Sequence, residues 1–217
     1  KEWNWFQKNT PKTVRSLDEL EELFYWCTSG NNTLVVNVPP DQTGRIRENE
    51  ANHIIALNKE RLHLYQDRPL PVGSAWLTEG GTATASSVYE NNEGLYGAAY
   101  AIDGGMQTRW AADDVHAELV ISFDGVKSFN KVVVFEHCDA VNSSDGFSNK
   151  RVNRIQSYRI DIWKDGDWEC VYVSDEPMGD CKVVRFPYTN QTAKIRLKVL
   201  NASLPPSIDE IYVQKVN

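Results

Sequence analysis

The sequence predicts a mixed fold: a short α/β segment, a linker, and then an antiparallel β-sandwich. Three observations carry that prediction. Within residues 1–66, two stretches of helical period flank one short apolar run, residues 33–38 (TLVVNV). Residues 67–78 (DRPLPVGSAWLT) hold prolines and a glycine and show no period, which marks a linker. From residue 79 onward, short β-rich runs recur between turn signals.

Each element has a local cause. The chain opens on KEWNWFQKNT, which lacks the apolar stretch of a signal peptide and reads as the interior of a longer chain. Ser16, Leu17, Asp18 and Glu19 form a capping-box sequence, in which the Ser16 hydroxyl meets the Glu19 amide and the Glu19 carboxylate reaches back. Leu17, Leu20, Leu23 and Phe24 then share one helical face. Ser29, Gly30, Asn31 and Asn32 stop the helix. The run at 33–38 suits a strand buried on both faces, and Pro39-Pro40 ends it because proline offers no ladder donor. A second helix is expected over residues 49–64. Helix, buried strand, loop and helix have the order found at the end of a parallel α/β barrel, although two helices and one strand cannot enclose a core alone. Beyond the linker, ELVISF, KVVVFEH, SYRIDIW, WECVYV, KVVRFPY, KIRLKVL and EIYVQKV are strand candidates. The KDGD sequence at 164–167 signals a hairpin. Seven or eight such strands without helices imply an antiparallel sandwich.

Composition limits the function. The chain has 217 residues, is 41% hydrophobic and carries a formal net charge of -7, with pI ≈ 5.2 and a mean hydropathy of -0.48. That balance argues against a nucleic-acid binder, which needs clustered Lys and Arg. Runs such as LVVNV are too short to span a bilayer. Seven Trp and nine Tyr suit stacking on sugar rings, with core packing as the competing use for each ring. Cys27, Cys138, Cys170 and Cys181 show no zinc-type spacing. Cys170 and Cys181 would meet if WECVYV paired with CKVVRF, and their pairing is left open. Glycosylation sequons begin at Asn31, Asn142, Asn190 and Asn201.

Two stretches carry family resemblances. NTLVVNVPPDQTGRI (32–46), preceded by RSLDELEELFYW, resembles the last barrel strand and the penultimate helix of the retaining α-L-fucosidases. The resemblance implies that residues 1–66 are the C-terminal segment of a (β/α)8 barrel. Retaining chemistry uses two carboxylates about 5–5.5 Å apart. In that family both lie upstream of the matching stretch, so the chain alone is expected to be inactive and its catalytic set is empty. Asp41 corresponds to a loop residue, not to the nucleophile. Trp3, Trp5 and Phe6 resemble the apolar wall that receives the C5 methyl of fucose; core packing is the alternative for each.

The second resemblance covers residues 79–217. TATASS, AIDGGMQTRWAA, KVVVFEH, RIQSYRIDIWKDGDWE, AKIRLKVL and PPSIDEIYV follow the order of a discoidin-like (coagulation factor C-type) domain of the galactose-binding-like jelly-roll fold. Sugar-binding relatives often hold a structural calcium ion, which takes about six to eight oxygens. The resemblance implies ligands from the Asp103 and Glu210 carboxylates, from Thr108, and from the carbonyls of Tyr100, Gly105 and Asp209. Position 105 is often Asp in the family and is Gly here, which leaves only a carbonyl. Gly104 and Gly105 permit positive φ. Without calcium, Asp103 would cap its own turn. Trp110 is expected in the core, with Arg109 along the sheet edge. For sugar contact the resemblance implies His116, Arg151, Glu136 and Arg154, with a structural Glu136–Arg154 ion pair as the equal alternative. Residues 137–153 read as a long irregular polar loop with Phe147 as a stacking platform.

The expected function is thus the C-terminal part of an α-L-fucosidase, acting outside the cell or in a periplasm. Its expected partners are fucosylated or galactose-containing glycans and the N-terminal barrel portion, with no nucleic acid and no membrane span. The competing classes are a stand-alone lectin-like or adhesive module, a phospholipid-binding discoidin-like domain, which the acidic balance disfavours, and an appendage of another glycoside hydrolase.

Overall fold

In the computed structural model, which describes residues 14–29, 33–65, 76–142 and 149–216, the capping box is formed as expected. The Ser16 amide donates to Glu19 Oε2 (2.8 Å) and the Glu19 amide to Ser16 Oγ (3.2 Å). They start helix α1, Leu17–Ser29; helix α2 follows at Glu48–Tyr65. Both belong to the first of two compact units, Lys1–Pro71 and Val72–Asn217. Leu20 and Tyr25 are buried, while Leu17, Leu23 and Phe24 are half-buried.

The run at 33–38 departs from expectation. It forms no strand, and Val35 is 79% exposed. A parallel strand needs ladder partners at its edges and helices over its faces, and the described elements of this unit are helices alone.

The second unit is β-rich. Its strands are β1 (Thr82–Ala85), β2 (Trp110–Ala111), β3 (Glu118–Glu136), β4 (Asp139–Asn142), β5 (Asn149–Val152), β6 (Ile155–Lys164), β7 (Asp167–Ser174), β8 (Lys182–Ala202) and β9 (Ser207–Gln214), with a short helix α3 at Glu93–Tyr96. The main sheet runs β2-β9-β3-β8-β6-β7, with β1 also on β3, and all of its pairs are antiparallel. Four of the expected strands merge into two: ELVISF and KVVVFEH lie in β3, KVVRFPY and KIRLKVL in β8. The intervening polar residues read as turns, but they are bulges at which both strands bend. Residues 118–122 pair with β1 and with residues 194–198, whereas residues 131–136 pair with β9 and, through residue 134, with residues 182–185. One folded-over sheet therefore supplies both layers of the sandwich.

Between the layers lie Trp110, Leu119, Ile121, Phe129, Val132, Tyr158, Ile160, Leu197, Ile208 and Ile211, all buried. Residues 76–78 belong to this unit and not to a free linker. The Trp76 ring stacks on Tyr212 (4.1 Å, 16°), the Leu77 amide donates to the Val213 carbonyl (2.9 Å), and Thr78 is buried.

The KDGD hairpin forms, with Asp165 (φ 51) and Gly166 (φ 89) both left-handed as a two-residue turn requires. It pairs β7 with β6, so β7 does not face β8. Cys170 is exposed, Cys181 is buried, and both are free thiols. The sequon at Asn190 is closed to a glycan in the folded chain, since Asn190 is 4% exposed and opposes Phe129 in the β3–β8 ladder. Among the described residues, no helix is long and apolar enough to cross a membrane.

Candidate cation and sugar sites

The decapeptide AIDGGMQTRW begins within a 3-10 turn, Ala98–Ile102, and closes on β2. Gly104 has φ +79, a conformation that L side chains rarely adopt. This directs its amide at Glu210 Oε2 (2.7 Å), across more than a hundred residues of sequence. Gly105 is not left-handed; its constraint is space. A Cβ there would lie 3.0 Å from Asp103 Oδ1 and 3.1 Å from Thr108 Oγ1. The Gly105 amide and the Thr108 hydroxyl donate to the two Asp103 oxygens (2.8 and 2.7 Å). Asp103 thus caps its own turn, while Glu210 ties that turn to β9.

Glu210 is fully buried, and burial pushes its carboxyl up to about 8. Bonds from the Gly104 and Ile211 amides oppose that shift, whereas the neighbouring Asp103 charge adds to it. Two carboxylates sharing one small volume is an arrangement that a cation would relieve. Among the described residues no three His, Cys, Asp or Glu side chains converge as ligands. A cation here would need carbonyl and hydroxyl oxygens as well, the donor set that suits calcium. Asp209 sits at an irregularity where β9 passes β3, and its carboxylate is held by His137 Nδ1 (2.8 Å). This leaves its carbonyl as the expected ligand. Tyr100 lies in the 3-10 turn with its hydroxyl donating to the Gly94 carbonyl (2.7 Å). A cavity of ≈ 170 Å³ opens beside the loop, lined by Trp76, Thr78, Glu79, Ile102, Asp103, Gly104, Glu210 and Tyr212.

Two of the sugar candidates are tied to the turn between β8 and β9, Arg154 directly and His116 through the loop that carries it. Arg154 Nη1 donates to the Pro205 carbonyl (2.9 Å), and the Ala112 amide to the Pro206 carbonyl (3.0 Å). Arg154 and the loop that carries His116 are therefore anchored on the same two prolines. His116 is open, with its side chain 73% exposed and its amide donating to Asp114 Oδ1 (2.9 Å). Glu136 is not open. It is 2% exposed, and Oε1 accepts the amides of both Arg154 and Ile155 (2.7 Å each). Burial raises its carboxyl to about 7. Of its two expected uses, sugar contact and a structural ion pair with Arg154, this burial suits a structural one, with Glu136 positioning the start of β6 through backbone amides.

Arg151 lies in β5 opposite Ala140. The segment expected to be an irregular loop includes an antiparallel ribbon, β4 with β5. Phe147, like Trp3, Trp5 and Phe6, lies outside the described residues. Trp110 is fully buried, as expected, and the Arg109 guanidinium lies 5.3 Å from the Tyr96 ring centroid. Asp41 accepts the Thr43 amide and hydroxyl (2.8 and 2.7 Å) and the Arg45 amide (3.2 Å), which hold its carboxyl below the usual range. It caps a turn. The His137–Asp209 pair was not foreseen, because contact between the ends of β3 and β9 leaves no local trace in sequence.

An antiparallel jelly-roll sandwich with its candidate site built on end loops is a galactose-binding-like domain. The F5/8 type C domain model matches residues 82–211, well over half of the chain, and the chain belongs to that family. Alpha-L-fucosidase 1 of Arabidopsis thaliana is 22% identical over 219 residues, a match covering 98% of this chain and 39% of the relative. Of solved structures, a GH29 fucosidase of Ruminococcus gnavus in complex with fucose is similar over 99% of this chain and 40% of its own, at 20% identity and a TM-score of 0.60. The family 32 module of Clostridium perfringens NanJ, in complex with galactose, is similar over 64% of this chain and 97% of its own, at 20% identity and a TM-score of 0.53. These structural likenesses define the fold.

Proposed function

We propose that the chain is the C-terminal part of a retaining α-L-fucosidase, and that its β-sandwich recognises carbohydrate beside a structural calcium ion. The observation that best supports this is the match to alpha-L-fucosidase 1, which runs through both units. The parent removes terminal α-linked fucose from glycans outside the cell or in a periplasm, using an Asp/Glu-type pair supplied by the rest of the barrel. On this reading the chain by itself does not hydrolyse fucosides, because the family's carboxylate pair lies upstream of the stretch that matches here; Asp41 caps its own turn. Trp3, Trp5 and Phe6 would complete the apolar wall for the fucose methyl group.

In the sandwich, the open His116 and the side chains of Arg151 and Arg154 read sugar hydroxyls, with Glu136 fixing the backbone beneath Arg154. Asp103, Thr108 and Glu210, with the carbonyls of Tyr100, Gly105 and Asp209, would hold the calcium. When bound, that ion would neutralise the exposed Asp103 and the buried Glu210 carboxylates and keep the loop rigid. A stand-alone lectin-like role is the second reading, favoured by the near-complete coverage of the NanJ module. Assaying a longer chain on a chromogenic fucoside, beside glycan binding by this one, separates the two. Turnover by the longer chain only, with galactoside or fucoside binding lost on His116→Ala in a folded protein, is the expected result. Unchanged binding by that variant sinks the sugar-site assignment.

A further inference from the structure

The turn that precedes α3 carries backbone strain without an evident packing reason. Glu90 and Asn91 both have φ 52, although neither is glycine. Such conformations persist only where the surroundings enforce them, and they concentrate at binding sites. Here they are enforced by three bonds: the Asn91 amide to the Val88 carbonyl (2.8 Å), the Asn92 amide to the Tyr89 carbonyl (3.0 Å), and the Glu90 amide to Asp113 Oδ1 (3.0 Å). The Asp113 amide in turn donates to Ser87 Oγ (3.2 Å). The turn is thereby fastened to the loop that displays His116, only three residues beyond Asp113.

What the strained turn presents is Tyr89. The residue is 42% exposed, yet its ring is held. Tyr96 meets it edge-on (5.4 Å, 82°), and Arg109 covers Tyr96 in turn. The neighbouring Glu90 carboxylate pushes the phenol's titration upward. A rigid, half-exposed aromatic with a polar tip costs little entropy to bury, which is why such rings serve as contact platforms.

We infer that Tyr89 is the stacking platform for a second sugar unit, next to the unit read by His116, and that the site takes an uncharged disaccharide end. This rests on the sugar-binding reading given above. Glu90, Glu93, Asp113 and Asp114 flank the platform on the same turn, helix and loop. A carboxylated or sulfated sugar placed there meets like charge, a repulsion that salt screens.

The test titrates the full chain with galactose, with GalNAc-β-1,3-galactose and with a sialylated galactose. Tyr89→Ala should weaken the neutral disaccharide about tenfold while sparing galactose. Tyr89→Phe should retain wild-type affinity, because it keeps the ring. The sialylated ligand should bind more weakly than the neutral disaccharide at low salt, and the gap should narrow as salt is added. Equal losses for galactose and the disaccharide in Tyr89→Ala would overturn the second-unit assignment, as would no loss at all. In either case, loss of both sugars in His116→Ala leaves the sugar-binding reading intact. Equal affinity for charged and neutral ligands overturns the selectivity. A folded wild-type chain that binds neither galactose nor the disaccharide overturns the sugar-binding reading itself.

Discussion

Two buried glutamates dominate the chemistry at the residue scale. Glu210 lies beside Asp103, and its carboxyl is raised to about 8. Calorimetric titration of metal-stripped protein should show calcium uptake that Glu210→Gln abolishes. At a hundredfold excess over Kd the ion should stabilise the wild type by about 2.7 kcal/mol, read as a rise in Tm. Absence of calcium heat in the wild type would return the loop to a turn capped by Asp103. Glu136 gives a pH prediction. Burial raises its native carboxyl from the ordinary 4.5 to about 7, so over that interval the native state binds the proton more tightly than the unfolded state. Its effect on stability is therefore most favourable at the acid end and declines as pH rises from about 4.5 to about 7, by up to roughly 3 kcal/mol. Glu136→Gln keeps an acceptor for the Arg154 and Ile155 amides but has no proton to lose. Thermal melts across that window should show a shallower decline in the variant; an equal slope would place the dependence elsewhere.

At the scale of elements, Trp76 is the clearest case of a side chain misassigned by its sequence context. A tryptophan among prolines and glycine reads as linker, yet its ring covers Tyr212, which also meets Phe135 edge-on (5.6 Å, 78°). Trp76→Ala should cost roughly 1–3 kcal/mol of stability in the second unit, whereas Glu79→Ala, exposed a few residues on, should cost little. Chemical denaturation compares the two. Elements specified by near neighbours were legible: the capping box at Ser16 and Glu19, the KDGD hairpin at 164–167, and the strand candidate ELVISF, whose Leu119, Ile121 and Phe123 are buried. Elements specified by distant partners were not. The apolar run at 33–38 has strand composition but finds no ladder, and the breaks within β3 and β8 look like turns because bulges and turns use the same polar residues. In the candidate site, the approach of Glu210 to the Asp103 loop came from family resemblance, not from local pattern. The burial of Glu136 left no signal at all, since a strand-end glutamate looks the same whether it faces water or two backbone amides.

For the molecule as a whole, the two units call for separate explanations. The first shows two helices, α1 and α2, among its described residues. The second has a contiguous apolar core and its own hydrogen-bonded sheet. A chain comprising the second unit alone should therefore melt in one cooperative transition near that of its counterpart in the full chain; a broad, non-cooperative melt would show that it depends on the first unit.

The two bent strands have a mechanical consequence. In a sandwich whose sheets are joined only by loops, either sheet can slide or peel while the other stays whole. Here β3 and β8 run lengthwise through both layers, side by side, so the covalent backbone itself crosses the seam twice. Pulling on one layer loads the other directly. A domain stitched in this way transmits strain from the loops at one end to the far sheet without needing a hinge.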